Sequence, residues 1–150
     1  MTDADKHALS ARVAAAAEKA GLPQELVWER AWECPAGHVM TGRAVNDTCI
    51  YYDDASRQVC GLDVRHSRLP LDLTDPAYLL PLVKEWLRRK PEEEGWTYQV
   101  AWCDGQAVGN IYELVNRAWG RHYHGADKDS EWVSLAIAFE AALQVEPTDG

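Results

Sequence analysis

The stretch GWTYQVAWCDGQAV, Gly95 to Val108, decides the fold. Trp96, Tyr98, Val100 and Trp102 recur at every second position, so their side chains share one face of a strand. Asp104-Gly105 is a type I′ turn signal, and Ala107 to Val115 supplies the returning strand. A hairpin with one apolar face needs a cover. As the last member of the alternation, Trp102 is expected to be largely buried, with Trp102→Ala costing roughly 3–5 kcal/mol.

The cover is legible on both sides of the hairpin. Thr74 or Asp75 can cap a helix over 76–90, with Pro76 near its start and Arg88, Arg89 and Lys90 at its end. Leu79, Leu82, Val83, Trp86 and Leu87 form its apolar stripe, and Pro81 interrupts it with a kink or a late start. Asp129 or Ser130 can cap a second helix over 130–145, striped by Leu135, Ala138, Phe139 and Ala142. Earlier, Leu9, Val13, Ala16 and Ala20 share one helix face before Gly21. The four-residue spacings of Trp28 with Trp32 and Val27 with Ala31 predict a second helix over 23–32.

Between these helices the chain changes character. Residues 34–42 read as a loop, and 48–52 and 58–64 as a hairpin turning at 53–56. Residues 65–73 read as an irregular connection because Pro70 argues against a central strand. Residues 120–125 hold a short strand or an exposed loop. The fold class is α+β, a compact α/β sandwich with antiparallel hairpins covered by helices. One domain is expected over 1–150, with 146–150 as a frayed tail.

Length and composition agree. A chain of 150 residues can hide roughly 68% of its unfolded surface, enough for one core. The formal net charge of −9 disfavours a nonspecific phosphate-backbone binder, so free nucleic acid is not the expected partner. No apolar run reaches about 18 residues, so no membrane partner is expected. Met1 to Lys6 lacks a basic leader, which makes the cytoplasm the expected compartment and leaves Cys34, Cys49, Cys60 and Cys103 reduced.

Three stretches together, TDPAYLLPLVKEWL (Thr74 to Leu87), GWTYQVAWCDGQAV (Gly95 to Val108) and WVSLAIAFEAAL (Trp132 to Leu143), resemble the phage ABA sandwich family of phage and prophage proteins. The resemblance covers about half the chain. It implies an α/β sandwich, a phage origin and no established catalytic constellation. Pro81 departs from the smooth helix of that pattern, and the cysteine-bearing first half is outside it.

Four sets of residues could carry chemistry. Cys34, His38, Cys49 and Cys60 could form a tetrahedral zinc site of three thiolates and one imidazole, with the CPAGH segment bending two donors toward one ion. No CxxC knuckle is present, however, and Cys49 and Cys60 stand eleven residues apart. Ordinary core thiols are therefore the favoured reading, with no cofactor expected and zinc as the competing one. His122 and His124, with His66 or Asp127, offer a weaker acid–base or metal set, against solvated residues beside a turn. Asp53-Asp54 and Asp127-x-Asp129 read as turn and cap residues before magnesium ligands. Cys103 lacks an evident base. No phosphate-binding glycine loop occurs.

With no complete catalytic set, the sequence points to a noncatalytic phage or prophage accessory protein. It would act by protein–protein association, on targets that include a basic host or phage protein. The alternative is a small metal-dependent enzyme, distinguished by a stoichiometric metal with an open coordination position.

Overall fold

The computed structural model describes residues 1–41, 49, 60, 63 and 65–146. In chain order the elements are α1 (Asp3–Lys19), β1 (Trp28–Glu33), β2 (Val39–Thr41), β3 (Arg65–Pro70), α2 (Pro76–Arg88), β4 (Trp96–Cys103), β5 (Gln106–Val115), β6 (Ala118–Asp127) and α3 (Glu131–Val145). Single 3₁₀ turns lie at Gln24–Leu26 and Glu92–Glu94. The fold is α+β, with two three-stranded sheets ordered β2-β1-β3 and β4-β5-β6. The chain divides into two units, residues 28–69 and the remainder.

In the larger unit, β4, β5 and β6 form an antiparallel meander. Asp104 and Gly105, at φ 52° and 80°, make the expected tight turn. The face bearing Gly109, Ile111 and Gly125 receives α3, and the two glycines explain how closely. A Cβ on Gly109 would collide with the Leu135 backbone, and one on Gly125 with the Ser134 carbonyl. Gly109→Ala is thus expected to push the helix off the sheet and cost about 1–3 kcal/mol, read by urea denaturation.

The helices follow from their caps and stripes. Thr2 and Asp5 form a reciprocal capping box on α1, and Leu9, Ser10, Val13, Ala14 and Ala17 are buried. Ser10 Oγ donates to Leu71 O and accepts from Leu73 N, both at 2.9 Å, which satisfies a buried hydroxyl and clamps the chain leading to α2. Asp75 caps α2 with Pro76 at its start, and the helix continues through Pro81. Trp86 is fully buried and meets Trp96 and Phe139 edge-to-face, with ring centroids 5.4 and 5.9 Å apart. Ser130 caps α3 through the Val133 N–H.

At the far end of α3, Glu146 is buried and accepts hydrogen bonds from Arg121 and the Tyr123 hydroxyl. Arg121 also pairs with Glu113 at 3.1 Å and Glu94 at 3.2 Å. The Arg121 hydrogen bonds hold the Glu113 carboxyl below its usual range. A depressed carboxyl stabilises the fold above its unfolded pKa and loses that contribution as pH falls through the folded value. Thermal melting should therefore weaken as pH drops from about 5 toward about 3, and Arg121→Ala should flatten that slope.

Five expectations are corrected. Residues 39–41 form β2, paired with β1, rather than the end of a loop over 34–42. Residues 28–33 form β1 rather than the end of a helix over 23–32. A spacing of four is even, so Trp28 and Trp32 share a face on a strand as well as on a helix, and aromatic residues favour the strand. Residues 65–70 form β3 rather than an irregular connection. Pro70 is tolerated as the last residue of an edge strand, where no ladder N–H is needed. The strand after β5 extends to Ala118–Asp127, beyond the anticipated 120–125. Trp102 is 54% exposed, with its indole N–H donating to Glu131 at 3.1 Å. Alternation chose its face correctly but could not show that cover is lacking at the hairpin end. Trp102→Ala should then cost about 0.5–1 kcal/mol in the same denaturation assay.

The proposed hairpin over 48–52 and 58–64 lies outside the described residues, apart from Cys49, Cys60 and Asp63. Residues 147–150 also lie outside them. No helix among the described residues is long and apolar enough to cross a membrane.

Candidate metal centre

The smaller unit builds its site from a turn. β1 and β2 pair antiparallel, with Glu33 opposite Val39, so residues 34–38 close the hairpin. Pro35 presets a turn backbone, and Gly37 supplies φ +90°, which side-chain-bearing residues rarely adopt. Gly37 N–H donates to Cys34 O at 2.9 Å and Cys34 N–H to His38 O at 3.0 Å. These bonds bring the side chains of Cys34 and His38 to one side of the turn. Cys34 Sγ lies 3.4 Å from His38 Nδ1.

Cys49 and Cys60 complete the group. Cys49 Sγ is 3.6 Å from His38 Nδ1, and Cys60 Sγ is 3.9 Å from Cys34 Sγ. All four donor atoms lie within 4.8 Å of one another. A disulfide would bring two sulfurs to about 2.05 Å, far shorter than this separation. Zinc bonds of about 2.3 Å to sulfur and about 2.0–2.1 Å to nitrogen give tetrahedral edges near ~3.8 Å for S···S and ~3.6 Å for S···N. The separations of 3.4, 3.6 and 3.9 Å lie close to those edges and the full set stays within 4.8 Å, so the donors suit zinc in chemistry and approach its spacing.

The electrostatics suit a thiolate. Burial pushes the Cys34 thiol up, but the backbone N–H groups of His38 and Ala36 and the thiols of Cys49 and Cys60 reverse this and lower it to about 7. Cys34, Cys49 and Cys60 are 2%, 0% and 8% exposed, whereas His38 is half-buried. The site is thus closed on its sulfur side and reaches solvent through its imidazole.

Among the described residues, the other candidates do not assemble a comparable site. His122 and His124 stack on β6 with ring centroids 5.6 Å apart, and His122 Nε2 is 2.7 Å from Asn110 Oδ1. Burial and the neighbouring His124 lower the His122 pKa. Asp127 is not joined to them; its carboxylate accepts from Asp129 N and Ser130 N, shaping the approach to α3. His66 lies on β3, in the other unit, and Asp53-Asp54 falls outside the described residues. Cys103 is exposed, and its thiol meets only the neighbouring Asp104 carboxylate, at 3.8 Å, among the described contacts.

Family models, curated proteins and solved structures give no match to the chain. The expectation of a noncatalytic phage accessory protein acting by association is therefore corrected. The chemistry that the chain assembles is a four-donor metal-ligand cluster, and no match connects it with phage biology or with protein binding. The cysteines favoured as ordinary thiols converge instead of scattering through a core. A usable signal was the pairing of Cys34 with His38 around a Pro-x-Gly turn. Requiring a CxxC knuckle hid it, because Cys49 and Cys60 arrive from separate points of the chain.

Proposed function

We propose that this protein is a zinc-binding protein whose Cys34, His38, Cys49 and Cys60 hold one ion and organise residues 28–69. The observation that carries this reading is the four-donor geometry, with S···N separations of 3.4 and 3.6 Å and S···S of 3.9 Å. Four protein donors fill a tetrahedral shell, which is the pattern of a structural site. Metal analysis of protein purified without added chelator should find close to one zinc per chain. A metal-free protein that also fails to take up zinc on titration would reject the proposal.

A metal-dependent enzyme is the second reading, and half-buried His38 favours it. Displacement of that imidazole by water would leave a shell of three thiolates with one open position, the arrangement that catalytic zinc requires. His38→Ala separates the two. Retained zinc with an exchangeable fourth ligand, seen by cobalt substitution spectroscopy, supports the open site; complete metal loss supports the closed one.

A further inference from the structure

β6 carries two histidines that the cysteine centre does not use. Strand alternation puts His122 and His124 on one face, and it is the face away from α3, because neighbouring Gly125 meets that helix. Both histidines are exposed, and their ring centroids stand 5.6 Å apart. Metal–nitrogen bonds of about 2.0–2.1 Å put an imidazole centroid roughly 3.2 Å from an ion, so two rings sharing one ion stand roughly 4.5–5.5 Å apart. A small side-chain rotation brings the pair to that span.

His122 is already oriented as a ligand. Its Nε2 lies 2.7 Å from Oδ1 of Asn110, which is buried. An amide oxygen only accepts, so Nε2 carries the proton and the lone pair is left on Nδ1. A metal-ligating histidine is ordinarily held this way, with one nitrogen donating to an oxygen and the other free for the ion. The Trp119 ring adds a second restraint, 4.7 Å from the imidazole. On the same face Val108, Asn110 and Tyr112 stand opposite Ala126, His124 and His122. None of these six is a carboxylate. The donors on offer are therefore imidazoles, which suit nickel, copper and zinc rather than magnesium or calcium.

We propose that His122 and His124 form a second metal site for a divalent transition ion of the imidazole-preferring class, with Asn110 as its positioning residue. Two protein donors leave the remaining coordination positions to water or an exogenous ligand, unlike the four-donor cysteine centre. The two sites lie in different units, so this proposal does not rest on the zinc reading.

Nickel(II) is the probe, because it is paramagnetic and does not oxidise thiols. The full-length chain, labelled with nitrogen-15 and with its zinc content measured, is titrated with substoichiometric nickel chloride and followed by NMR. Amide signals of residues 110–112 and 122–124 and the indole signal of Trp119 should broaden first, and excess magnesium should leave that broadening in place. His122→Gln and His124→Gln should each weaken binding at least about tenfold. Both are exposed strand positions, so the melting temperature should hold. Asn110→Asp keeps an acceptor for the Nε2 proton and should retain more affinity than Asn110→Leu. The site is overturned if residues 122–124 stay sharp while nickel broadens signals around His7, His38 or His66. It is equally overturned if magnesium removes the broadening, or if the double histidine variant binds nickel there unchanged. Equal affinity in the two Asn110 variants overturns the positioning role. Zinc content reads out separately: a chain that fails to hold zinc yet takes nickel at His122 refutes the zinc reading alone.

Discussion

Cys34→Ser should purify with its zinc lost and with residues 28–69 unfolded, while the larger unit keeps its helices. Cys34 is 2% exposed and its sulfur lies against His38 and Cys60, so among the described residues no further donor stands ready to replace it. Structural zinc contributes about 10–16 kcal/mol to small modules, more than a sheet of three short strands can supply by burial. Chelator treatment of the wild-type chain should produce the same state. Amide hydrogen exchange is the deciding measurement. Protection should vanish in β1 and β2 and persist in β4, β5 and α3. Uniform protection in the chelated protein would show that the unit stands without metal.

Trp86→Ala is the second large effect, at about 3–5 kcal/mol. The ring, carried by α2, is fully buried and meets Phe139 on α3 and Trp96 on β4 edge-to-face. The Lys90 ammonium lies 4.6 Å from its centroid and loses that contact as well. Trp86 Nε1 is a buried donor with no hydrogen-bond partner among the described residues. Trp86→Phe should therefore cost much less than Trp86→Ala, because it removes an unsatisfied N–H while keeping a ring. Denaturant midpoints for the two variants test the ordering; equal losses would contradict it.

The larger unit was legible because its signals are local. The two-residue alternation in 96–102 and the Asp104-Gly105 turn specify β4 and β5, and caps at Asp75 and Ser130 specify α2 and α3. What local pattern omits is reach. It assigns Trp102 to the helix-covered face but cannot show that α3 leaves it at the edge. The smaller unit was harder for a related reason. Trp28 and Trp32 at a spacing of four satisfy both periodicities, and only pairing with β2 decides between them. The candidate metal centre is the least local feature of all. Cys34 and His38 are joined by one turn, but Cys49 and Cys60 enter the site through tertiary structure that spacing does not encode.

Cys34 and Cys60 are 26 residues apart in sequence and 3.9 Å apart at their sulfurs. An ion seated between them is a cross-link. In the chain-entropy description, closing a loop of that length lowers the disorder of the unfolded chain by the equivalent of about 3.5 kcal/mol, as a disulfide would. Unlike a disulfide, the tie needs no oxidant and is undone by metal withdrawal rather than by thiols. The order of residues 28–69 would thus follow the free zinc concentration of the surroundings, making this part of the chain a reversible fastening.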